Sequence, residues 1–265
     1  MDESQQVNLV SNNITEKEEQ VIIKPERDEK ISIAEEISIF PELTANGKTV
    51  FRRHILPWKQ RYNWDCGIAC VAMCVSVHDR YDLYRNLNFY KKHFQFNEST
   101  WTIDLCYVLK HFAVPFRFAT RFPGVDPQLR RYTFYKSSID KDTSRVLNGF
   151  ALASKNGINF CVAKTHIQSI LQHVYAIGPA IILVNSNLLR CLDCSSACSS
   201  VFSCCFRTCY QGHYILVIGF DLKNNCVFYN NPTFGDRTCR IYAGDFEAAR
   251  TAPGTDWDTI FIESG

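Results

Sequence analysis

Gln60-Arg61-Tyr62-Asn63-Trp64-Asp65-Cys66-Gly67-Ile68-Ala69-Cys70 is the stretch on which the reading of this 265-residue chain turns. From Gly67 to Val77 the apolar residues Ile68, Ala69, Val71, Ala72, Met73 and Val75 leave almost no polar face, which predicts a helix surrounded on all sides in the middle of a domain. Cys66 stands at its start. A helix N-terminus offers partial positive charge and free N–H groups, both of which favour a thiolate, the nucleophilic form of cysteine. Gly67 would admit a substrate backbone at close range, and Gln60, six residues upstream, could turn an amide N–H toward a developing oxyanion.

A thiolate nucleophile needs a base. Of the seven histidines, His213 is the best placed, because it opens the apolar run Tyr214 to Gly219 and a buried strand would hold its ring with little freedom. Asn230 and Asn231 precede Pro232 at the end of the next strand-like run. Either could bond the second ring nitrogen and fix the tautomer, with Asn231 the preferred orienter. His54, His78, His93, His111, His166 and His173 lack a partner pattern and read as structural or exposed, and Cys70 and Cys74, at helical spacing from Cys66, read as core packing.

Outward from these residues the chain divides in two. Residues 1–48 carry eleven acidic and five basic side chains, and the remainder sixteen and twenty-four. The first segment reads as a disordered acidic arm that could dock a partner, and residues 49–265 as one folded domain. Strands are expected at 50–56, 116–120, 180–184, 213–220 and 226–229, and helices at 67–77, 105–112, 143–153 and 165–177, the last capped by Thr165. Helices first and antiparallel strands later indicate an α+β fold in which the buried helix packs on an antiparallel sheet.

Composition narrows the function. A hydrophobic share of 46% can fill a core, and a net charge of +2 without a basic run argues against nucleic acid. There is no stretch long and apolar enough for a membrane span and no secretory leader pattern, so a cytoplasmic protein, with a nuclear share allowed, is expected. Arg117, Arg121, Arg130 and Arg131 read as a solvated basic face, with the acidic arm or an anionic substrate as the alternative.

Gln60, the Asp65-Cys66-Gly67 triplet with Ala69, the Gly212-His213 pair and Asn231-Pro232 resemble the motifs of papain-like peptidases of the bacteriocin-processing type. The resemblance implies a papain-like fold with Gln60 as oxyanion donor, Cys66 as nucleophile, His213 as general base and Asn231 as orienter, although that family commonly has Asp before this proline. A closer resemblance spans nearly all of residues 49–265. Trp64-Asp65-Cys66-Gly67, Gln211-Gly212-His213-Tyr214, Phe228 to Pro232, Phe246 to Arg250 and Gly254-Thr255-Asp256 are similar to the guanylyl cyclase domain-containing proteins of plants and animals, whose name implies conversion of GTP to cyclic GMP with Mg²⁺ or Mn²⁺.

Three functions are therefore expected to compete. The first is a thiol hydrolase of peptide or protein substrates that needs no cofactor, the second the cyclase, and the third a non-catalytic interaction module on the same scaffold. No phosphate-cradling glycine loop is present, and Asp104, Asp221 and Asp245 have no spacing that would pair them. Cys191, Cys194, Cys198, Cys204, Cys205 and Cys209 crowd nineteen residues before His213. They could hold a structural zinc ion, remain reduced thiols or form a redox-sensitive hairpin, and ordering this loop could gate the site.

Overall fold

The long apolar run of Gly212–Asp221 becomes the central strand of a sheet that is covered by helices on both faces. A computed structural model of the chain describes residues 47–96, 98–131, 139–194 and 210–263. Its elements are β1 (Val50–Arg52), α1 (Cys66–Cys74), α2 (Val77–Arg85), α3 (Leu87–His93), α4 (Thr102–His111), β2 (Phe116–Thr120), α5 (Ile139–Leu152), β3 (Phe160–Val162), α6 (Ile167–Ala176), β4 (Ala180–Asn185), β5 (Gly212–Asp221), β6 (Cys226–Asn230), β7 (Thr238–Tyr242), α7 (Ala243–Arg250) and β8 (Thr259–Ile262). The strands form one sheet in the order β3-β2-β8-β4-β5-β6-β7. Strand β1 lengthens the edge occupied by β4, since β5 pairs with β4 over Gly212 to Val217 and with β1 over Gly219 to Asp221.

Strand alternation builds two cores. Ile181 and Leu183 of β4, Tyr214, Leu216 and Ile218 of β5, and Ile260 and Ile262 of β8 pack with α1 and α4. The intervening residues Ile182, Val184, Ile215, Val217 and Phe261 pack with α6 and α7 on the other side. Burial on both faces is why these strands read as continuous apolar runs. No helix among the described residues is long and apolar enough to cross a membrane.

The α+β class holds, with two corrections. The sheet is mixed, because β2 and β3 run parallel, and it lies between two helical layers. The first strand stops at Arg52, short of the expected Leu56, because the chain is drawn off the sheet edge. The Arg53 side chain donates to the Val174 carbonyl of α6 at 2.6 Å, and Asn230 donates to the Ile55 carbonyl at 2.9 Å. Gly219 is what lets β1 approach at all, since a Cβ there would stand 2.2 Å from the Phe51 carbonyl oxygen.

Helix α1 ends at Cys74, earlier than Val77. Val75 is extended, and Ser76 caps the following helix by accepting the Asp79 N–H at 3.1 Å. His166 occupies the N-cap of α6 where Thr165 was expected; the Thr165 hydroxyl lies 3.3 Å from that of Thr259 instead. The arm at 1–48, apart from its last two residues, lies outside the described residues.

Candidate active site

Asp65 sets the start of α1. It is fully buried, with Oδ1 accepting the Tyr62 N–H at 2.9 Å and Oδ2 accepting the Arg61 N–H at 3.1 Å and the Tyr84 hydroxyl at 3.3 Å. One carboxylate thus folds the 60–65 loop against α2 and delivers Cys66 to the first turn of the helix. Replacing Asp65 with Ala strands the buried Tyr84 hydroxyl and leaves two partly buried backbone N–H groups to water, and a loss of about 2 kcal/mol in chemical denaturation is expected.

Gly67 serves packing. A Cβ on it would lie 2.8 Å from Leu105 and 3.0 Å from Tyr214, so the expectation that it admits a substrate backbone gives way to close contact of α1 with α4 and β5. Cys66 itself is 7% exposed and lines a cavity of about 260 Å³ together with Trp64, Gly212, Tyr214, Asp256 and Asp258.

The structure brings Cys66, His213 and Asn231 together. His213, half-buried at the start of β5, has Nε2 2.9 Å from Asn231 Oδ1. That same oxygen accepts the Thr233 N–H at 3.0 Å; because a backbone N–H can only donate, the shared atom is the carbonyl oxygen and His213 must donate from Nε2. Nδ1 is therefore left toward the thiol. Burial alone would raise the Cys66 pKa, but the His213 imidazolium, which also hydrogen-bonds the sulfur, and the N–H groups of Tyr214 and Gly67 outweigh it, and the pKa is lowered. Burial opposes charge on His213, yet the Cys66 thiolate and the bond to Asn231 raise its pKa above the ordinary value.

Gln60 reaches the same corner by its backbone, donating its N–H to the Pro232 carbonyl at 2.9 Å, one residue beyond Asn231. Its side-chain amide donates to the Tyr62 carbonyl, while Oε1 is buried without a partner. Asn230 turns away and bonds Ile55 and Thr238, which leaves Asn231 alone on the histidine. His173, also buried, is spent on the Ile262 carbonyl at 2.8 Å.

Two acids in the cavity carried no sequence signal of pairing. Burial, reinforced by repulsion from Asp256, pushes Asp258 up to about 8, and burial together with Asp126 pushes Asp256 up to about 6. Asp258 accepts a hydrogen bond from Thr102, whose oxygen lies 2.9 Å from the Tyr214 hydroxyl, and its Oδ1 has no partner. The described lining holds Glu98 as well and neither Lys nor Arg. Asp104, Asp221 and Asp245 stand apart from one another, each engaged elsewhere: Asp104 with Arg145, Asp221 with Asn224 and Asp245 with Arg190.

Of the cysteine loop, only Cys191 and Cys194 fall within the described residues; Cys198, Cys204, Cys205 and Cys209 lie outside them. Cys239 on β7 joins the two, a partner that no spacing in the sequence announces.

A thiol at a helix N-terminus, an imidazole on a central strand and an amide on the neighbouring strand's exit define an α+β domain with a thiol–imidazole–amide centre. The chain belongs to the guanylylate cyclase family, whose model matches residues 55–262. It is 30% identical over 215 residues to Guanylyl cyclase 1 of Arabidopsis thaliana, a match covering 77% of this chain and 73% of that protein. Both names agree with the cyclase expectation, and neither is that of a peptidase.

Proposed function

We propose that this protein is a thiol-dependent hydrolase of the papain-like kind, acting on a peptide, isopeptide or related amide. The observation that carries the reading is His213, held by Asn231 through Nε2 and hydrogen-bonded to a Cys66 thiol that opens on a cavity.

In this reading the imidazolium–thiolate pair attacks the substrate carbonyl through sulfur, and the C=O electron pair moves onto oxygen. The Cys66 N–H, at the helix N-terminus, stabilises that oxyanion, joined by Gln60 once its amide turns from the Tyr62 carbonyl. His213 then gives its proton to the leaving amine, and water activated by the neutral ring releases the acyl group from Cys66. Asn231 keeps the ring in one tautomer throughout. A lining that holds Glu98, Asp256 and Asp258 and, among the described residues, no basic side chain favours neutral or cationic substrates.

A second reading, guanylyl cyclase, is favoured by the names of the family and the plant relative and by the acids in the same cavity. Asp256 and Asp258, with the orphaned Oδ1 of Asp258, fit a divalent cation in part; Glu98 does not converge with them into a three-donor set. Bound there, Mg²⁺ or Mn²⁺ would neutralise the triphosphate that the acidic lining otherwise repels.

One paired experiment separates the readings. A carbonyl-directed, peptide-based activity probe is expected to label Cys66 in wild type and not in His213→Ala, while cyclic GMP formation from GTP with Mn²⁺ stays at background. Cyclic GMP production that survives Cys66→Ala and disappears in Asp256→Asn, with no probe labelling, would replace the hydrolase by the cyclase.

A further inference from the structure

We infer that Cys191, Cys194 and Cys239 hold one zinc ion in a site on the β7 side of the sheet, separate from the Cys66 centre. Their sulfur atoms all lie within 4.8 Å of one another, and among the described residues they are the only group of three or more His, Cys, Asp or Glu donors so placed. Four ligands arranged tetrahedrally at about 2.3 Å from zinc put neighbouring sulfurs about 3.8 Å apart. Cys194 and Cys239 stand 3.8 Å apart, far outside the roughly 2.0 Å of a disulfide.

The scaffold around the three sulfurs is tied independently of any ion. The Cys191-Leu192-Asp193-Cys194 turn follows β4 and is fastened to β7 at Arg240, whose carbonyl accepts the Leu192 N–H at 2.8 Å and whose guanidinium grips Asp193 at 2.6 and 3.1 Å. This clamp sets the two loop thiols against Cys239, the residue just before Arg240. A CxxC turn presented to a third cysteine on a strand is a soft, preorganised donor set, which suits zinc rather than magnesium or calcium.

A second observation points to a ligand. Tyr229, opposite Cys239 in the β6–β7 register, is fully buried, and its hydroxyl has the Cys191 thiol as its hydrogen-bonding neighbour, with Cys239 and Cys194 beside it. A phenol O–H enclosed beside three thiols gains a stronger acceptor once they become metal-bound thiolates, the outer-shell arrangement that tunes such sites. The fourth position falls to water or a further donor.

Because Tyr229 lies two residues before Asn231 on the same strand and exit, the ion would brace the segment that orients His213.

The test uses the full chain purified under reducing conditions without added chelator. Elemental analysis is expected to find one zinc per chain, and X-ray absorption at the zinc edge at least three sulfur neighbours. After removal of zinc, Co²⁺ is expected to give the intense absorption of tetrahedral thiolate coordination, lost in Cys239→Ser and in Cys191→Ser but kept in Cys66→Ala. Cys191→Ser lies on a half-exposed turn and reports even if the buried Cys239→Ser misfolds. Fewer than three sulfur neighbours, metal retained in both variants, or a Cys194–Cys239 disulfide in the freshly reduced and repurified chain overturns the inference.

Discussion

His213→Ala is expected to slow iodoacetamide modification of Cys66 at pH 7 by about tenfold to a hundredfold, measured by peptide mapping under limiting reagent, with no comparable change at the other cysteines. The imidazolium is the principal force that brings the buried thiol below its ordinary pKa; without it, burial dominates and pushes the pKa up, and each unit of rise costs about tenfold in thiolate at a fixed pH. The wild-type pH profile follows from the same pair. Reactivity should already be high below the ordinary thiol range and fall on acidification through the lowered Cys66 pKa. Hydrolysis, which also needs the His213 proton, should decline again above the raised histidine pKa. A profile centred on the ordinary thiol range, unchanged by the mutation, would leave Cys66 an inert core residue.

Arg145→Ala is expected to be the most damaging single change for stability, at about 3–5 kcal/mol, or on the order of 10 °C in Tm for a domain of this size. Arg145 bridges Asp104 of α4 and Asp142 of α5, both buried, and Asp104 in turn accepts the Trp101 N–H at 2.8 Å to cap α4 beside the cavity. Burial holds Asp104 up at about 6 even with the arginine present. Without it, Asp104 must rise further. A carboxyl whose folded pKa exceeds its unfolded one contributes stability below the unfolded value and loses it as pH rises through the folded one. The deficit of the variant should therefore widen from pH 5 to pH 8 in urea titrations. An equal deficit across that range would mean that lost packing, not stranded charge, is the cause.

Much of this architecture was legible in the residues, and the failures have physical reasons. Helix α1 announced itself because burial on all sides removes the polar stripe, and β4 and β5 because sheets covered on both faces read as unbroken apolar runs. Strands β3, β7 and β8 passed unnoticed because pairing supplied by distant partners, not local pattern, decides their state. Cys66, His213 and Asn231 could be picked out because each is anchored at an element boundary that local pattern reveals. Cys239 could not, since its tie to Cys191 and Cys194 runs through a strand register, and Asp258 reaches the cavity only through the β8 entry. Gly67 was visible as a special residue, but its reason, a fit against Leu105 and Tyr214, belongs to packing that no local window contains.

The histidine and the amide enter the chain some 150 residues after the thiol, and only the pairing of β5 with its neighbours carries them back to it. A nascent chain that ends before β5 holds Cys66 as one ordinary thiol among several. The lowered pKa arrives only once β5 and β6 have paired, so the alkylation rate of this single cysteine is a clock for folding: pulsed labelling during refolding should show Cys66 becoming more reactive as the buried Cys70 and Cys106 fall silent, two opposite signals from one sheet closing.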